Sequence, residues 1–153
     1  MTIDERLKEL DIVLPNPPSP AANYVTIKRV GNLMYTSGQD ARQNGELLYK
    51  GKLGQNISTE EGYQSARNTI LNCLSLLKSE LGSLDKVKQI VRLTGYVNST
   101  DDFIEQPLVI NGASDLLVEI FGEEGKHVRS AISTNSLPFG ISIEIELIVE
   151  VHE

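Results

Sequence analysis

Tryptophan is absent from this chain, cysteine occurs once, and only two of its 153 residues are histidine. Each scarcity excludes something. Cys73 alone forms no intramolecular disulfide, and with His127 and His152 it supplies too few ligands for a conventional zinc site. Three Phe and five Tyr are too few, and too scattered among Lys and Arg, to build the stacking platforms that hold single-stranded nucleic acid. The formal net charge of -7 repels phosphate backbones, so nucleic acid is not an expected partner. No apolar run approaches the ~20 residues of a membrane span. Met1 to Arg6 lacks the apolar centre of a signal peptide, so the expected compartment is the cytoplasm, with no membrane contact. The Gly-x-Gly-x-x-Gly fingerprint, the phosphate loop, the Gly-x-Ser-x-Gly elbow and the His-Glu-x-x-His pair are all missing.

What is present reads as one α+β domain over 1–153. Thr2 to Leu10 suits a short helix. Asp11 to Ala22, with Pro15, Pro17, Pro18 and Pro20, must be extended and irregular, and residues 1–22 read as an N-terminal segment along the domain surface. Tyr24–Arg29 and Leu33–Ser37 are β-type runs around Val30-Gly31-Asn32, a hairpin signal. Asp40 to Asn56 reads as a loop with a minor strand near Leu47 to Tyr49; its glycines, like Gly38, are read as turns and not as a phosphate cradle. Ser58 and Glu61 form a capping box ahead of an apolar stripe through Tyr63, Ala66, Ile70, Cys73 or Leu74, Leu77 and Leu81, with Gly82 as the stop. Val87 to Val97 is a strand. Gln106 to Phe121 is a second helix, opened by Pro107 and closed by Gly122. His127–Thr134 and Ile141–His152 are strands, and the last alternates strictly: Ile141, Ile143, Ile145, Leu147, Val149 and Val151 on one side, Ser142, Glu144, Glu146, Ile148, Glu150 and His152 on the other. The order ββαβαββ gives two layers, helices on one face of a mixed sheet, with the polar second face turned to water or to a partner sheet.

Arg129 stands out because it lies inside a strand, where a guanidinium needs an acidic partner or an anionic ligand. Its planar fork matches a carboxylate. A salt bridge to Glu144 or Glu146 on a neighbouring strand is the simpler reading, and spacing favours it. Glu144 and Glu146 share a face and are either an acid–base pair or a solvated strand surface, the latter favoured. Cys73 falls on the apolar stripe and reads as core, not as a nucleophile. His127 and His152 read as ordinary surface or strand-edge residues.

Two separated motifs then carry a resemblance. Asn23-Tyr24 with Gly31-Asn32-Leu33-Met34-Tyr35-Thr36-Ser37-Gly38-Gln39, and Arg129-Ser130 with Leu137-Pro138 and Ile143-Glu144-Ile145-Glu146, resemble the RidA (YjgF-like) family of imine and enamine deaminases, also labelled L-PSP endoribonucleases. The resemblance runs from Tyr24 to Val151. It implies a chorismate-mutase-like fold, a homotrimer with ligand clefts between subunits, and cofactor-free hydrolysis of 2-aminoacrylate or 2-iminopropanoate to the keto acid and ammonia. It implies that Arg129 binds the substrate carboxylate, that Glu144 activates water, and that Tyr24, Ser37, Gly38, Asn111 and Ala131 line the site. Ala131 stands where many members have cysteine, and His127-Val128 where Pro-Ala is common. The N-terminal extension through Leu14 and the Gly45 to Gly54 loop are longer than in compact members, which bears on substrate choice. A trimer that binds small carboxylates without turnover is the alternative; the net charge and the missing histidine pair argue against an endoribonuclease.

Overall fold

A computed structural model describes residues 1–20 and 22–153; Ala21, within the segment expected to be extended, lies outside the described residues. Two helices dominate: α2 (Thr59–Leu81) and α3 (Gln106–Phe121), preceded by a short α1 (Ile3–Glu9). α1 and α2 both open on reciprocal capping boxes, Thr2 with Glu5 and Ser58 with Glu61. α2 ends because Gly82 takes a left-handed backbone (φ 83°), open to glycine without a Cβ penalty, and returns its N–H to the Lys78 carbonyl.

The main sheet has β1 (Ile27–Val30), β2 (Leu33–Thr36), β5 (Val87–Asn98), β6 (Val128–Thr134) and β7 (Ile143–Val151), in the order β1-β2-β7-β5-β6. Only β5 and β6 run parallel, joined by the α3 crossover. All other pairs are antiparallel. Ile143, Ile145, Leu147, Val149 and Val151 are buried against α2 and α3, as the alternation predicts. Cys73 is fully buried and burial pushes its thiol up to about 12. A thiol reagent is therefore expected to leave native protein unlabelled and to label one cysteine per chain after denaturation, which mass spectrometry checks.

Several local expectations need correction. β1 starts at Ile27, three residues after Tyr24, and the turn is Gly31-Asn32 alone, with Gly31 at φ 61°. The minor strand is a hairpin, β3 (Arg42–Gln43) with β4 (Glu46–Leu47), because Asn44 and Gly45 take positive φ; Tyr49, at φ 54°, is outside it. β7 begins at Ile143, so Ser142 does not join the polar face: it is buried, its hydroxyl 2.8 Å from that of Ser65 in α2. The proline-rich segment does run along the domain, but Ile12 and Leu14 pack on the core and the Pro15 carbonyl accepts from the Ser75 hydroxyl.

Candidate functional site

β5 separates β6 from β7, so Arg129 and the glutamates Glu144 and Glu146 are not on neighbouring strands. The salt bridge favoured by spacing does not form, and among the described residues Arg129 belongs to no ion pair. Arg129 is in register with Leu93, which pairs with Leu147, and both leucines face the helices. Glu144 is in register with Tyr96, on the open face. The anticipated site residues therefore fall into two groups, on opposite sides of the sheet.

The first group centres on Glu144. A cavity of about 530 Å³ is lined by Tyr24, Gly38 and Glu144 together with Arg42, Asn72 and Phe139. Gly38 leaves room for the Glu144 carboxylate: a Cβ on it would lie 2.8 Å from the carboxyl carbon, so the glutamate would have to shift. Glu144 is half-buried, and burial, then the charges of Glu146 and Asp40, raise its pKa above the usual carboxylate value. Ser37 flanks the cavity, its hydroxyl accepting from the Gln39 amide at 2.9 Å. Much of the wall comes from the proline-rich segment and the loop that follows Gly38. Asn16 to Ser19 line the cavity, and the loop at Asp40 to Arg42 is tied to α2 by Asn72, which donates to the carbonyls of Asp40 and Arg42. Arg42 pairs with Asp40 at 3.2 Å and stands 5.9 Å above the Phe139 ring. Phe139 keeps a left-handed backbone (φ 61°), a strain of about 1–2 kcal/mol of the kind that collects at ligand clamps.

The second group lies between β6 and α3. The Arg129 fork is anchored at two points: Nη1 donates to the Ser114 hydroxyl (3.1 Å) and Nη2 to the Pro107 carbonyl (3.3 Å). Asn111 sits between these two partners at helical spacings of four and three, so all three share one face of α3. Ala131, two residues beyond Arg129, packs on the core beside Gly95. β6 is an outer strand with a single neighbour, so its free edge can meet a second molecule.

His127, expected to be an ordinary surface or strand-edge residue, is instead half-buried with both ring nitrogens engaged. Its Nδ1 lies 2.7 Å from the Gly125 carbonyl and its Nε2 2.9 Å from the Ser114 hydroxyl that also receives Arg129. Its pKa is lowered, first by burial and then by the Arg129 charge. The one hint in the sequence was its place two residues before Arg129. Among the described residues no cluster of His, Cys, Asp and Glu could hold a metal ion, and no helix is long and apolar enough to cross a membrane.

The chain matches the family model described as "YjgF/chorismate mutase-like, putative endoribonuclease" over residues 4–151. It is 40% identical to Protein TCP17 of Trypanosoma cruzi over 95% of this chain and 92% of that protein. Two crystal structures share the fold closely. That of a "putative endoribonuclease" from Shewanella oneidensis superposes with a TM-score of 0.95 at 38% identity, covering 99% of this chain and 100% of that one. Atu1372 of Agrobacterium tumefaciens gives 0.91 at 40%, covering 98% and 92%.

Proposed function

From the premise that this chain belongs to the YjgF/chorismate mutase-like family, we propose that it hydrolyses reactive imines and enamines of the 2-iminopropanoate and 2-aminoacrylate class, releasing keto acid and ammonia from a homotrimer. One observation carries this reading. Arg129 is a half-buried guanidinium that, among the described residues, has no acidic partner and is held by two neutral acceptors on α3, with the rest of its fork unspent. A carboxylate ligand is the natural counter-charge for such a group.

The reaction needs little more. The imine carbon is already electrophilic, and fixing the carboxylate holds it in place for attack, lowering the entropic barrier. Water adds its oxygen to that carbon while Glu144 takes one water proton. Glu144 passes that proton to the imine nitrogen, giving a tetrahedral carbinolamine; the remaining hydroxyl proton then moves to the nitrogen by way of Glu144, the carbon–nitrogen bond breaks, and ammonia leaves as the carbonyl forms. An enamine enters the same route once a proton has moved from its nitrogen to its β-carbon and the imine has formed. Because Arg129 and Glu144 lie on opposite faces of one sheet, a complete site takes Arg129 from one protomer and Glu144 from the next, which is why the proposal includes a trimer. The cavity beside Glu144 has room for a substrate side chain larger than methyl.

The test is release of ammonia from an imino acid generated in place by an oxidase. If the protein leaves the spontaneous rate unchanged, and Arg129→Ala behaves like wild type, the reading fails. Turnover absent but 2-ketobutyrate bound through Arg129 would favour a carboxylate-binding trimer. The endoribonuclease label of relatives is not favoured here: the net charge is -7, and both ring nitrogens of His127 are engaged.

The pH dependence is a separate expectation. Glu144 is the base only when ionised, and its proton is held more tightly than usual. The acid limb of kcat/KM should thus rise through a midpoint above the ~4.3 of an ordinary glutamate. Removing a like charge with Glu146→Gln should move that midpoint down. Glu144→Gln should lower kcat about a hundredfold and flatten the limb.

A further inference from the structure

Proton bookkeeping fixes the direction of every bond around His127. The Gly125 carbonyl cannot donate, so Nδ1, 2.7 Å away, carries the hydrogen. In the neutral ring Nε2 is then an acceptor, and the Ser114 hydroxyl, 2.9 Å away, must donate to it. The Arg129 guanidinium has no acceptor, so at 3.1 Å it can only donate to the Ser114 oxygen. The chain of donation runs from Arg129 to Ser114 to His127 to Gly125. Each acceptor is polarised by passing on its own hydrogen, and such chains strengthen their members.

We propose that Ser114 and His127 are positioning residues for carboxylate recognition: His127 accepts a hydrogen bond from the Ser114 hydroxyl, which turns a serine lone pair onto Arg129 and sets the guanidinium on α3. The inference rests on the reading of Arg129 as a carboxylate site. Three features support it. Without His127 a helical serine hydroxyl is free to rotate toward the carbonyl one turn back, so its lone pairs are no longer aimed. The lowered pKa keeps the ring neutral, the only state in which Nε2 accepts. And the two anchors, Ser114 and Pro107, are seven residues apart on one face of α3, so they hold the fork at both ends while three of its five N–H groups remain for a ligand. His127 stands thirteen residues from Ser114, and only the packing of β6 on α3 brings them together.

The test uses the full-length protein and 2-ketobutyrate as the probe, with affinity read by calorimetry and, in the imine assay, KM read separately from kcat. Ser114→Ala and His127→Phe are each expected to weaken binding about tenfold, the scale of a hydrogen bond to a charged group, and to raise KM with kcat nearly unchanged. His127→Gln, whose side-chain oxygen can accept the same hydrogen bond, should stay within about threefold of wild type. That contrast separates positioning from packing, because phenylalanine is the better filler and glutamine the better acceptor. If Phe is tolerated and Gln is not, the inference is overturned. If Ser114→Ala and His127→Phe both bind as wild type while Arg129→Ala does not, it is overturned and the Arg129 reading stands. If Arg129→Ala itself binds normally, both fall. Nitrogen NMR of wild-type protein gives an answer independent of variants: His127 should show the Nδ1-protonated neutral tautomer at neutral pH, and an Nε2-protonated ring would also overturn the inference.

Discussion

Arg129→Ala is expected to lower kcat/KM on a freshly generated imino acid roughly a thousandfold, about 4 kcal/mol, the scale of truncating one partner of a charged, desolvated pair. The same variant should lose measurable affinity for 2-ketobutyrate while melting close to wild type, since its two hydrogen bonds go to a hydroxyl and a carbonyl that water can satisfy. Arg129→Lys should recover little: an ammonium carries the charge but not the planar fork. The geometry adds a sharper form of the test. Arg129 and Glu144 occupy opposite faces of one sheet, so neither Arg129→Ala nor Glu144→Gln protein contains a complete site. Mixed trimers, formed by co-refolding equal amounts, place the surviving arginine of one chain against the surviving glutamate of another in about a quarter of the sites. Activity should reappear to that extent. No recovery would mean that the two residues do not share a site.

The second large effect is on stability. Gly112→Ala should cost about 3 kcal/mol and lower the melting temperature by roughly 10 °C for a domain of this size. Gly112 lies where α3 crosses α2, and a Cβ there would fall 2.0 Å from the Tyr63 carbonyl oxygen. Backbone cannot yield as a side chain can, so the helices must move apart, and the packing of Leu116 and Ile110 goes with them. Gly62→Ala, in α2, is the control. Its nearest neighbours would be the side-chain tips of Leu53 and Val109, at 2.8 and 3.1 Å, so its loss should be smaller. Thermal unfolding followed by circular dichroism compares the two. Equal losses would remove the special role of the helix crossing.

Local pattern made the long elements legible. The capping box at Ser58, the proline and glycine around α3, and the alternation from Ile143 to Val151 each state a hydrogen-bonding or burial requirement within a few residues, and the elements follow. Pattern is silent on which strand lies beside which. The α3 crossover sets β6 beside β5, and β7 inserts on the far side of β5. Spacing therefore suggested an ion pair between Arg129 and Glu144 that the sheet order forbids. Ser142 fell to the same limit: alternation gave it to the polar face, but the strand starts one residue later. The two residues that hold Arg129 in place, Ser114 and His127, were invisible for a different reason. Their meeting is a product of helix-on-sheet packing, and neither residue type is unusual where it stands. The motif resemblance supplied Arg129 and Glu144 as companions, and the fold then assigned them to different faces.

The position of β7 has a consequence for how the chain reaches this state. It follows every other element in sequence, yet it occupies the middle of the sheet, paired with β2 on one side and β5 on the other. Until it arrives, β1-β2 is an isolated hairpin, too small to be stable in water, and β5-β6 is a two-stranded parallel unit backed by helices. Closing the sheet brings Leu33 against Glu150, a loop spanning most of the chain. Folding should accordingly wait on the ribosome for nearly the whole chain, with the exposed edges of β2 and β5 as the interval's vulnerable surfaces. A chain stopped before Ile143 lacks the strand that joins its two halves, and so lacks the fold.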